Sequence, residues 1–146
     1  NLYNYKNKFL SISFYNPIKY KNYDSLSYAL KFNDERYIIF GIKGEIDYVN
    51  NINECHTKKD EIFSEISNLF NNYKITDDTT RPHPADKSGE SIANNITITL
   101  VSGDSIQVYC MNWSEKLTTE NNWIDGLTVS ITNNEFANFL NNEAYN

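Results

Sequence analysis

Glycine is scarce in this sequence, with five residues at positions 41, 44, 89, 103 and 126 of 146. They make no Gly-rich loop that could wrap a phosphate in backbone N–H groups, so nucleotide-binding fingerprints are excluded. Histidine is scarcer still: only His56 and His83. With Cys55 and Cys110 they are the only soft metal ligands. Cys55 and His56 are adjacent, hence about 100° apart on a helix, and no zinc spacing is matched. No D-x-[DN]-x-[DN]-G calcium loop occurs. No metal and no cofactor are expected. There is no C-x-x-C redox motif. Long apolar runs are also missing. The longest, Tyr37-Ile38-Ile39-Phe40, falls far short of the roughly 20 residues of a membrane-spanning helix.

What is present argues for a folded chain. Apolar residues make up 40% and aromatics 14%, and each buried ring removes about 150–250 Å² from water. The length fits one domain over residues 1–146. Asn is abundant, which weakens any argument from a single Asn. The two N-x-[ST] matches, at Asn95 and Asn112, are discounted for that reason. Net charge is −6 but uneven: residues 1–43 carry seven Lys or Arg against three acids, and residues 44–146 six against sixteen. Two differently solvated faces of one domain would produce this. A net acidic chain is a poor general nucleic-acid binder, because phosphate affinity comes from clustered cations. The interleaved Tyr and Lys between Tyr3 and Tyr23 read as edge tyrosines with lysines reaching into water.

Periodicity suggests the elements. Residues 1–9 have no clear period and are expected to form an N-terminal arm. Leu10, Ile12 and Phe14 alternate with serines as a short strand stopped by Asn16-Pro17. Leu26 to Phe32 and Arg36 to Lys43 read as a hairpin turning at Asn33-Asp34-Glu35. Ile52, Cys55, Lys59, Ile62, Phe63, Ile66, Leu69 and Phe70 then fall at helical spacing. They predict a helix over about 52–70, capped by Asn51 or Asn53. Residues 75–91 have loop composition, and Pro82 and Pro84 argue against a regular helix or a central strand. Asn95 to Met111 is a second hairpin turning at Ser102-Gly103-Asp104. Residues 113–125 read as a polar connection. Leu127, Val129 and Ile131 form a last strand, and Asn133 caps a last helix carrying Phe136, Phe139 and Leu140. The expected class is α+β: a curved antiparallel sheet of about five to six strands, with one long and one short helix on one face, in the order β-β-β-α-β-β-β-α.

Cys55 lies on the apolar stripe of the long helix and Cys110 on the apolar side of the second hairpin. If stripe and sheet pack together, the two can form a disulfide closing a loop of roughly 55 residues. The alternative is two buried thiols. A disulfide implies an oxidising compartment. The chain opens on Asn1 rather than Met, which suits removal of an export signal. A secreted or periplasmic location is therefore expected.

Candidate functional residues are few. His83, Asp86, Lys87 and Ser88 share the 75–91 loop. A hydrolase would need three of them converging from a rigid scaffold, and a contact surface asks less. Trp113 and Trp123 bracket the polar connection, as rim anchors or as a platform for peptide or carbohydrate.

Several stretches together resemble small exported proteins of AT-rich bacteria. They are Cys55 with Lys58-Lys59-Asp60-Glu61-Ile62, His83 with Asp86-Lys87-Ser88-Gly89, Ser102-Gly103-Asp104, Cys110 with Trp113-Ser114-Glu115, Trp123 with Asp125 and Leu127, and Glu135-Phe136. The resemblance covers about residues 44–143. It implies export and paired cysteines, and no activity. The reading reached is an exported, non-enzymatic domain that binds a protein or other macromolecule. The alternatives are an inhibitor or immunity-type protein covering a basic partner, and a small hydrolase using residues 83–88.

Overall fold

The computed structural model describes residues 1–20, 22–84 and 86–144. Leu2–Tyr5 (β1) and Phe9–Tyr15 (β2) open the chain, followed by Ser25–Lys31 (β3) and Ile39–Asp47 (β4). Helix α1 spans Ile52–Leu69. Tyr73–Pro82 (β5), Ile92–Leu100 (β6) and Ser105–Asn112 (β7) follow. Glu115–Asn121 is α2, Gly126–Thr132 is β8, and Asn134–Asn142 is α3. All strand pairs are antiparallel, and the sheet order is β1-β2-β3-β4-β8-β7-β6-β5.

The class is α+β, but the expected element list is corrected. Among the described residues there are eight strands in one sheet and three helices, not five to six strands and two. The N-terminal stretch with no legible period supplies β1, paired Leu2 to Ile12 and Tyr5 to Phe9. The stretch read wholly as loop supplies β5. It is an edge strand, paired only with β6, and Pro82 is its last residue. Both are places where a missing N–H costs no ladder bond. A register shift between Ile75 and Asp77 also breaks the alternation that would have marked it. In the 113–125 connection, α2 begins after Ser114, with Glu115 in its first turn, and ends at Asn122, left-handed at φ 54°. These are ordinary helix-end signals, compressed into a short polar segment.

The expected single helical face is corrected too. Strand residues alternate sides, and Cys110 pairs with Leu127 while Thr128 pairs with Tyr109. Helix α1 packs on the Cys110 side, where Cys55, Val108, Cys110 and Leu127 form a core with Ile46, Ile52, Ile62 and Ile66 around it. Helix α3 packs on the other side, where Phe136 and Phe139 meet Phe9, Ala29 and Phe40. A register shift leaves Phe40 unpaired between Ile39 and Gly41, so it joins the Ala29 side. Gly41 lets Phe136 come close: a Cβ there would sit 3.2 Å from its ring.

Because α1 covers mainly β7 and β8, part of the apolar phase of the N-terminal strands lies uncovered. Ile12, Tyr28, Ile42 and Ile131 face one another across β2, β3, β4 and β8. Ile42 and Ile131 are exposed, as is Phe14 nearby. Helix α1 agrees with the sequence reading to within a residue. Asn51 occupies its cap position, but its side chain donates to Glu54 instead of accepting from the helix. Leu69, counted on the stripe, is exposed. Asn133 caps α3 as expected, accepting from the Phe136 amide.

Candidate binding cleft

The α3 side of the sheet is floored by small hydroxyl residues. Ser11, Ser13, Ser27, Thr128 and Ser130 lie along it beside Tyr109. Two depressions open over this floor. One, of about 450 Å³, lies beside α3 under Tyr3, Tyr5, Phe136 and Leu140. The other, of about 510 Å³, lies toward the opposite end of the strands. Tyr109 and Thr128 line both, so the two adjoin as the two ends of a trough divided at these residues.

The larger depression contains the tryptophans. Trp113, at the end of β7, and Trp123, after α2, approach to 4.4 Å between ring centroids at an interplanar angle of 52°. His83 meets Trp113 edge-on, at 5.0 Å and 71°. His83, from the stretch read as a loop, and Trp113 and Trp123, from either end of the polar connection, thus come together on one wall. Burial pushes the His83 imidazole below its ordinary pKa.

Asp86, Lys87 and Ser88 are not on that wall. Asp86 braces the loop: one oxygen accepts from the Ser88 amide and hydroxyl at 2.9 and 2.7 Å, the other from the Ser91 amide and hydroxyl at 3.0 and 2.5 Å. Hydrogen bonds from Ser91, then Ser88, hold its carboxyl far below the usual range. The Ser88 hydroxyl donates to Asp86, whose lowered carboxyl is too weak a base to take its proton, so the pair gives the hydrolase reading no support. Lys87 is exposed beside this turn. The fully buried Ser91 hydroxyl also accepts from the Ser114 amide at 2.9 Å. The Trp113 amide donates to Asp125 at 2.7 Å. Trp113 is therefore positioned from both sides through two aspartates.

The opposite wall is acidic, and sequence reasoning missed it. Asp24, Glu45 and Asp47 line it with Tyr15 and Asn16. Asp24 accepts from the Asp47 amide at 2.8 Å. Glu45 accepts from the Ser25 hydroxyl and pairs with Lys43 at 2.7 Å. Burial pushes the Glu45 carboxyl up, but the bonds from Lys43 and Ser25 outweigh it and the net shift is down. Asp47 is raised, by burial first and then by the charges of Asp24 and Glu45. These three acids come from the ends of β3 and β4 and look unremarkable along the chain. Only the strand pairing brings them together.

Cys55 and Cys110 form the expected disulfide, with Cα atoms 6.0 Å apart and both residues fully buried. Among the described residues no group of three or more His, Cys, Asp or Glu is placed to hold a metal ion. Among the described residues no helix is long and apolar enough to cross a membrane. Asn95, in one of the two N-x-[ST] matches, is buried and donates to Asp77 and Thr97.

Comparison with protein-family models, curated proteins and solved structures finds no match. The functional reading therefore rests on the chemistry of the trough.

Proposed function

We propose that this chain is an exported, non-enzymatic binding domain that holds a protein partner in the trough on the α3 side of its sheet. The observation that carries this is the wall formed by Trp113, Trp123 and His83 at the wide end of that trough. Tryptophans in partly desolvated recesses are the usual anchors of protein interfaces, and both indoles are only half-buried here. The buried disulfide supports an oxidising, secreted or periplasmic setting. The resemblance to exported proteins of AT-rich bacteria points the same way.

The acidic wall favours the inhibitor-type version of this reading. Asp24, Glu45 and Asp47 suit a basic surface, and such complementarity speeds encounter and rejects acidic competitors.

The test is capture from native culture medium. Wild-type domain should retain one stoichiometric protein. The Trp113→Ala/Trp123→Ala variant, checked for native circular dichroism, should lose roughly 2 kcal/mol or more of binding, about thirtyfold. Equal capture by both would overturn the reading.

A further inference from the structure

The geometry points to the wide end of the trough as a receptor for one arginine side chain of a basic partner protein, with the guanidinium held between the tryptophan wall and the Asp47 wall.

This deepens the binding reading above and rests on it. The first observation is the shape of the aromatic wall. A sugar ring stacks best on a flat, open platform, but Trp113 and Trp123 are inclined at 52° and His83 stands at 71° to Trp113. Inclined rings make a notch that offers π-faces to a compact cation. The second is charge. Among the described residues three carboxylates and no Lys or Arg line this depression. Lys43 offsets Glu45 from outside it, which leaves Asp47 in the field of two neighbouring acids. The third is chemistry. A guanidinium is planar, stacks on indole, forks onto carboxylates and sheds water more readily than an ammonium, so arginine suits this recess better than lysine.

The experiment uses the full chain and the peptide acetyl-Gly-Gly-Arg-Gly-Gly amide, with citrulline in place of arginine as the neutral isostere. Both tryptophans of the chain lie in the depression, so their fluorescence reports it directly. The arginine peptide should give a saturable change. The citrulline peptide should bind at least about tenfold more weakly, and about 0.5 M salt should suppress the difference. Asp47→Asn, a near-isosteric change at an exposed position, should weaken arginine binding about fivefold and leave citrulline binding unchanged. Equal binding of the two peptides, or no response to either, overturns the proposal. The parent reading is separated by the captured protein. Capture lost in the double tryptophan variant but unchanged by Asp47→Asn and by salt keeps the trough and sinks the arginine. Capture indifferent to all of these sinks both.

Discussion

Helix α1 runs for eighteen residues and α3 for nine, yet the longer helix is the one fastened by a covalent bond. Its stripe is poorer than its length suggests. Only Cys55 and Lys59 are buried on it, and Lys59 turns its ammonium to Asp60 at 3.0 Å. Ile52, Ile62 and Ile66 are only partly covered. Helix α3 buries two of its nine residues, Phe136 and Phe139, among Phe9 and Phe40, with ring centroids 4.8–6.3 Å apart. Lys8–Glu143 and Lys31–Glu135 pairs rim that contact, so lysines of the basic N-terminal part meet acids of the other. Exposed pairs of this kind contribute little, at most about 1 kcal/mol. Aromatic rings hold α3, whereas α1 has the sulfur bridge beside its partly covered isoleucines. A nine-residue helix has no stability of its own in water, which makes the contrast sharper.

The largest effect should come from breaking the bridge. It joins residues 55 apart in sequence, and chain entropy assigns about 4 kcal/mol to a loop of that size. Cys55→Ala/Cys110→Ala should lose about that much in denaturant unfolding, and amides of α1 should exchange with solvent faster before those of α3 do. A loss below that of a single α3 ring would reverse the comparison.

That ring is Phe136, which contacts Phe9, lies over Gly41 and shares a core with Ala29. Phe136→Ala should cost about 3 kcal/mol, the lower end for a buried phenylalanine because this helix can settle toward the sheet. Exchange should quicken in α3 and at Phe9 while α1 stays protected by its bridge. Uniform loosening of both helices would show that the two covers are one cooperative unit.

How much of this was legible depended on whether the signal was local. The stripe from Ile52 to Ile66, the Asn133 cap and the positive-φ turn at Gly103 (φ +86°) depend on neighbours in sequence, and each was readable. Strand β5 was not. Its residues, among them Asp77, Asp78 and Thr79, are mostly exposed on an edge, so no apolar alternation was needed to place it. Tyr37 and Ile38 misled in the opposite direction. They look β-prone, but Tyr37 adopts φ +52° in the turn, and β4 begins two residues later. At the trough, His83 and the tryptophans could be suspected from residue type. Asp24, Glu45 and Asp47 could not, because their proximity comes from the β3–β4 register, which pairs Ser25 with Glu45.

The smallest predicted effect tests whether the α3 end is also the acid-sensitive end. Asp34 lies in the turn entering β4, the strand that supplies Phe40 to the α3 core. Hydrogen bonds from the Arg36 side chain and then its backbone lower the Asp34 carboxyl from 3.8 to about 2. A depressed carboxylate stabilises the fold fully above its unfolded value and loses that contribution as pH falls through its folded value. The contribution is therefore complete above about pH 4 and drains away down to about pH 2. Asp34→Asn should be slightly less stable than wild type at neutral pH, and the gap should close across that window. The α1 bridge carries no titrating group, so Cys55→Ala/Cys110→Ala should leave the same acid-dependent gap in place. Unfolding curves of wild type, Asp34→Asn, Cys55→Ala/Cys110→Ala and the variant combining all three substitutions, at pH 2 and pH 6, measure this directly. A gap between wild type and Asp34→Asn that stays constant down to pH 2 would remove Asp34 from the account and leave the α3 end with no assigned acid sensitivity.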